Sequence, residues 1–312
     1  MDVTRRQLTL ALSAGLLTAG LAACAPAGLS SEPTTPSSSA PPPADPSESP
    51  QPPAPSPEPS TPSPTPEPTP QEILDKTLQE GTNHNAGAAK YAYPAEKVQG
   101  WTSDSSTATE KIVFLTFDDG PNHSTSIQIL DILKKHEVPA TFFVIGNLVG
   151  DAPETIKREI EEGHAVAIHS YTHNYNKLYP GRRANAEVVV GEFTKTREAI
   201  RKVLGAGYNT SCWRYPGGHM SWKNMEPADE GLAKEGVHWV DWNSLTGDAE
   251  PENRRPKNVD AMVRMATSPI SSGVKVSVML AHDAEGKDLT VQSLPQIIKA
   301  YKDAGYTFGV IA

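Results

Sequence analysis

From Lys111 to the C-terminus the sequence alternates between short apolar runs and amphipathic stretches, an order that few folds accommodate. The apolar runs are "KIVFLTFD", "ATFFVIG", "HAVAIHS", "CWRYPGG", "VHWVDWN", "VKVSVMLAHD" and "YTFGVI". Helical patterns separate them: "STSIQILDILKKHE", "APETIKREIEEG", Ala184 to Leu204, Pro227 to Glu235, Val259 to Thr267, and "VQSLPQIIKAYKDAG" despite its Pro. Such alternation predicts an α/β fold of about seven parallel strands with helices outside. The runs are apolar throughout, as in strands buried on both faces. A closed barrel and an open sheet both satisfy the pattern. In either, a site belongs at the C-terminal strand ends.

The 312-residue chain does not commit its whole length to that core. Residues 1–23 read as an export signal, with a charged start, an apolar centre and small residues before Cys24. The apolar centre is too short and too alanine-rich for a membrane span. Arg5 and Arg6 resemble a twin-arginine signal, and "LAAC" resembles a bacterial lipoprotein box. That box implies cleavage before Cys24 and a diacylglycerol on its sulfur, so the mature protein is anchored to the outer face of the bacterial cell membrane, in the cell-wall space. An ordinary signal peptide with a chance Cys is the alternative. Residues 24–70 are almost all Pro, Ser, Thr, Ala and Glu, with no apolar period, and read as a disordered spacer. At polyproline rise it reaches on the order of 140 Å. Residues 71–110 are a lead-in, with a short helix expected at Gln71 to Gly81, and residues 111–312 are the folded domain.

With Cys24 lipidated, Cys212 has no disulfide partner and reads as a small buried apolar residue. The formal net charge of -9 argues against a nucleic-acid partner. A monomer is the expectation.

The strand ends collect polar residues. The first ends in Asp118 and Asp119, the third in His169 to His173, the fourth in Arg214 to Gly218; the fifth leads to Asp241 and Asp248, and the sixth ends in Leu280 to Asp283. His169 and His173, four apart, share one side of a helical turn. With one carboxylate they make a three-ligand divalent site with open positions. Two adjacent acids in "TFDDGP" then divide the work: one ligates, the other stays free as a base. Arg214 is a fixed cation able to hold a carboxylate. The "YPGG" stretch offers bare backbone N–H groups to an oxyanion. His282 is a candidate general acid.

In this order "TFDDGP", "HSYTH", "RYPGG" and "LAHD" resemble the polysaccharide deacetylases with a NodB-homology domain, over about Lys111 to Ala312. The resemblance implies a distorted (β/α) barrel that removes acetyl groups from sugar polymers with one divalent metal, usually zinc, with cobalt, manganese or nickel as substitutes. Residue by residue, it implies Asp118 as base, Asp119, His169 and His173 as metal ligands, Arg214 orienting the base, and His282 as acid. Leu280 and Trp242 resemble the walls of an acetyl pocket, beside Tyr215 and Gly217 as further substrate-binding residues. Asp248 resembles the carboxylate behind the catalytic His, with Asp241 as its rival. The family commonly has Trp after that Asp; here it is Ala249.

A lipid-anchored head on a long spacer points to peptidoglycan N-acetylglucosamine as substrate. Chito-oligosaccharide or acetylxylan are the alternatives. A non-catalytic wall-binding lipoprotein is the reading of another class, and the completeness of base, ligands, arginine and acid speaks against it. Cys24→Ser should move the protein from the membrane fraction to the soluble fraction; immunoblotting of the two fractions checks it.

Overall fold

The structure is a computed structural model that describes residues 75–312. The signal, Cys24 and the spacer lie outside the described residues. In chain order the strands are β1 (Ala92–Tyr93), β2 (Ile112–Asp118), β3 (Thr141–Val144), β4 (Ala165–Ile168), β5 (Cys212–Trp213), β6 (His238–Trp239), β7 (Ser244–Leu245), β8 (Val276–His282), β9 (Thr307–Phe308) and β10 (Val310–Ile311). The helices are α1 (Ala95–Ser103), α2 (Thr125–His136), α3 (Pro153–Glu161), α4 (Tyr175–Leu178), α5 (Ala186–Leu204), α6 (Glu226–Lys234), α7 (Val259–Ala266), α8 (Ser268–Ser271) and α9 (Asp288–Asp303).

The two longest strands, β2 and β8, pair in parallel along their whole length. The strand path is β6-β5-β4-β3-β2-β8-β7, every pair parallel, with β9 added beside the start of β2. β6 and β7 stand at opposite edges of that path, yet only Val240–Asn243 joins them. A flat sheet would hold those edges about 29 Å apart. The link spans at most about 18 Å. The sheet therefore curls, and the result is the distorted barrel expected from the motifs. Val240 N–H donates to Trp213 on one side of the seam (2.9 Å) and Asn243 N–H to Val278 on the other (3.2 Å).

Alternation along β2 divides the interior in two. Val113, Leu115 and Phe117 face the layer under the helices, where they meet Ile129, Leu133, Leu294 and Ile298. Ile112 and Phe114 point into the barrel with Val276, Val278, Phe143, Ala167 and Cys212. Cys212 is wholly buried there, as its reading as a small apolar residue requires. Thr116 and Asp118 follow in the period-2 series on the inner face. The last residue of β2 is thereby aimed into the barrel mouth.

Three differences from the sequence reading have physical causes. β7 was not expected; it is two residues long, Ser244 and Leu245, and too polar to stand out as a run. The closing run "YTFGVI" divides at Gly309, so that β9 joins β2 while β10 joins β1. A side chain at Gly309 would press on Phe114 and Tyr93, each 2.9 Å from the added Cβ. The helix expected at Gln71 to Gly81 does not reach Gly81, because Leu78 bridges Asn85 instead. The lead-in packs onto the barrel: Ala95, Val98 and Trp101 of α1 join the inner core, and Asn83 donates to the Ile311 carbonyl at 2.9 Å. No helix of the described residues is long and apolar enough to cross a membrane.

Trp101 is 6% exposed and its indole N–H donates to Thr107 at 3.1 Å. Trp101→Ala should lower stability by about 3–5 kcal/mol, as large aromatic truncations in a core do. Chemical denaturation followed by fluorescence measures it.

Candidate active site

Strand alternation alone would send Asp118 and Asp119 to opposite faces. The chain solves this at Asp119, whose φ of 80° breaks the strand and turns its carboxylate into the opening that Asp118 faces. A non-glycine residue in this region costs roughly 1–2 kcal/mol. The following residue is Gly120, where a Cβ would overlap the Asp283 carboxylate.

His169 follows directly on β4. Its Nδ1–H donates to the Arg214 carbonyl at 2.9 Å, which leaves a lone pair on Nε2. Burial, then the neighbouring His173, hold its pKa down to about 3, so the ring stays neutral. His173 lies after a turn in which Ser170 and His173 itself have φ of 69° and 50°. Glu192 on α5 holds that turn, accepting from the amides of Tyr171 (3.0 Å) and Thr172 (3.1 Å) and from the Thr172 hydroxyl (2.5 Å). Asp119 Oδ1 stands 3.6 Å from His169 Nε2 and 3.4 Å from His173 Nε2.

Those three residues suit a divalent ion. Ligand atoms about 2.1 Å from a tetrahedral zinc stand about 3.4 Å apart. The three candidate ligand atoms here all lie within 4.8 Å of one another. Asp119 Oδ1 is buried with no hydrogen-bond partner, a costly arrangement unless a cation completes it.

Asp118 is divided between two neighbours. Its Oδ1 receives Arg214 Nη1 at 2.8 Å, while Oδ2 lies 3.7 Å from His169 Nε2. Arg214 is fully buried and fixed on all sides: Nη1 also donates to Thr116 at 2.7 Å, Nε donates to the Val240 carbonyl at 2.9 Å, and the guanidinium lies 3.9 Å from the Phe143 ring centroid. Burial pushes the Asp118 carboxyl above the usual Asp range, against the pull of Arg214 and His282. Asp118 and His282 are register partners on β2 and β8.

The His282 ring is held by Asp248. Nδ1–H donates to Asp248 Oδ1 at 2.8 Å, and the His282 amide donates to Oδ2 at 2.9 Å. Thr290 donates to the same Oδ2 at 2.8 Å. Burial works against the Asp248 carboxylate, yet His282, Lys287 and Thr290 keep its pKa down to about 2. Burial also disfavours charge on His282, but the bond to Asp248 and the charges of Asp248, Asp118 and Asp119 outweigh it and raise the imidazole pKa. The rival, Asp241, is elsewhere: it accepts from the amides of His219 (3.0 Å) and Met220 (3.4 Å) and so braces the loop after Arg214.

The cleft between these groups has a volume of about 440 Å³. Leu280, Trp242, Gly217 and Ala249 line it beside the ionisable residues. At Gly218, φ is 83° and an added Cβ would meet Trp242 at 2.8 Å, so glycine lets that indole close the wall. The side chain of Tyr215 does not line the cleft. It is buried in the core, and its hydroxyl donates to Asp229 at 2.8 Å; the residue sits in the strand-end turn with its ring pulled behind the wall. Sequence reasoning missed Glu192, Thr290, Tyr175 and Met220. The exposed large hydrophobics among the described residues are Tyr175 and Met220, and both line the cleft. Tyr175, two residues after His173, was visible as an aromatic beside the ligand pair. Glu192 and Thr290 carried no local signal.

A family model described as polysaccharide deacetylase matches residues 105–230. The chain is 35% identical over 199 residues to a peptidoglycan-N-acetylglucosamine deacetylase of Bacillus cereus, covering 64% of this chain and 68% of that protein. It is 32% identical over 214 residues to a bifunctional xylanase/deacetylase of Pseudobutyrivibrio xylanivorans, covering 68% of this chain; it spans only 32% of that longer relative. Among solved structures, a Streptococcus mutans CE4 esterase is 44% identical with a TM-score of 0.73, covering 76% of this chain and 99% of the other.

In the metal-free protein, the His282 imidazole should titrate above an ordinary histidine, and Asp248→Asn should lower its pKa by removing the charge that favours imidazolium. Side-chain NMR over a pH series reads both values.

Proposed function

Because the chain belongs to the polysaccharide deacetylase family, a family of hydrolases, we propose that it removes N-acetyl groups from a cell-surface polysaccharide, peptidoglycan N-acetylglucosamine first, with a divalent metal of which zinc is the leading candidate. The observation that carries this reading is the division of Asp118: one oxygen on the buried Arg214 (2.8 Å), the other facing the Asp119–His169–His173 cluster (3.7 Å from His169 Nε2).

Asp119, His169 and His173 would hold the cation, which would supply Lewis acidity toward the acetyl carbonyl and the attacking water. Asp118 Oδ2 takes a proton from the attacking water, while Arg214 keeps Oδ1 from swinging away. A backbone N–H near Gly217 is the donor for the oxyanion that develops on the carbonyl oxygen. His282 delivers its Nε2 proton to the leaving nitrogen, and Asp248 holds the ring in the tautomer and charge state that permits it. Leu280 and Trp242 exclude water around the acetyl methyl. One water is consumed, the C–N bond breaks, and acetate and a free amine leave, with no covalent enzyme intermediate.

The expected anchor at Cys24 and the spacer favour a wall polymer over a diffusing oligosaccharide. Tyr175 and Met220 offer apolar surface for a sugar face, on a site where Ala249 lacks the aromatic common in the family. Chito-oligosaccharides and acetylxylan remain the alternatives, the latter by ester cleavage with the same groups. Acetate release from peptidoglycan, chitopentaose and acetylxylan ranks the three.

Asp118→Asn should reduce acetate release by about 10²–10⁴-fold. EDTA should abolish it, and added zinc or cobalt should restore it. Release by the Asn variant at the parent rate would remove Asp118 from the mechanism.

A further inference from the structure

Asp283, the last residue of "LAHD", takes no part in the chemistry above, yet it is 1% exposed and carries several bonds. Its amide donates to the Asp118 carbonyl at 3.0 Å. Its Oδ2 accepts from the Ser126 hydroxyl at 2.5 Å, and the carboxylate packs directly against Gly120. Asn122 Nδ2 donates to the Asp283 carbonyl at 2.5 Å. One buried side chain thus ties the end of β8 to the turn after β2 and to the first turn of α2. Gly120 fits the same account, because a Cβ there would overlap the Asp283 carboxylate.

The turn so tied is the one that needs holding. Asp119 sits at φ 80° immediately before Gly120. On its β3 side the turn is fastened by Asp119 N–H to Phe143 O (3.3 Å) and by Ile145 N–H to Gly120 O (2.8 Å). On its β8 side the fastening is Asp283. We propose that Asp283 is a positioning residue for metal binding: its buried carboxylate, packed against Gly120 and bonded to Ser126, fixes the left-handed turn that aims Asp119 at His169 and His173. The inference rests on those three residues holding the metal.

The test is zinc affinity rather than turnover. The purified full chain, stripped of metal, competes with a chromogenic chelator for zinc. Asp283→Ala should weaken zinc binding about 10–100-fold, the range for outer partners of metal ligands, whereas Asp283→Asn should stay within about threefold. The Asn carbonyl oxygen still accepts from the Ser126 hydroxyl and fills the same space beside Gly120. Ser126→Ala removes one of the clamp's bonds and should give a smaller loss. Unchanged affinity in Asp283→Ala overturns the proposal. Equal losses in Asp283→Ala and Asp283→Asn would assign the effect to charge and overturn it as well. If Asp283→Ala does not fold, Ser126→Ala decides, and parent-like affinity there rejects the clamp. A parent protein that binds no zinc removes the metal-site reading itself, and this inference with it.

Discussion

The buried contact between Arg214 and Asp118 organises everything near the barrel mouth. A guanidinium with no exposed surface must find a partner for nearly every N–H, and Arg214 finds them on two separate segments: Thr116 and Asp118 of β2, and the Val240 and Asp241 carbonyls of the seam. Breaking one side of such a pair strands a charge at a cost of about 3–5 kcal/mol. An apolar substitute for both could leave the barrel as stable, so stability alone does not account for the pair. What it gives the site is a carboxylate with one oxygen immobilised and one left over.

Much of the fold was legible in the sequence. β2, β3, β4 and β8 are four to seven consecutive buried residues, and that burial on both faces is what a parallel sheet under helices leaves in a sequence. β5, β6 and β7 are two residues each, too short to carry a period; the places of β5 and β6 followed only from the motifs around them, and β7 was not anticipated. The closing run looked like one strand because Gly309, the residue that divides it, has no side chain to interrupt the apolar pattern.

The candidate site was legible in a different way. Asp118, Asp119, His169, His173, Arg214 and His282 lie at the ends of strands, so strand order alone brought them to one rim. The choice between Asp248 and Asp241 was not available from strand order, since both lie between the end of β6 and the start of α7. The structure separates them by backbone: Asp248 reaches both the ring and the amide of His282, whereas Asp241 faces the amides of the loop after Gly218. Tyr215 shows the opposite limit. Its place in "RYPGG" was right for a cleft residue, but a strand-end tyrosine can turn either way, and Asp229 draws its hydroxyl inward.

The seam between β6 and β7 has a consequence for the shape of the cleft. Trp242 lies on that seam, between Val240, which is bonded to β5, and Asn243, which is bonded to Val278 on β8. The barrel's ladder does not run through it. A change in indole size or tilt at this point would alter the width of the cleft that Trp242 lines while leaving the hydrogen-bonded staves of the barrel intact. The open joint in the cylinder is therefore where the cleft can be reshaped with the least disturbance to the rest of the architecture.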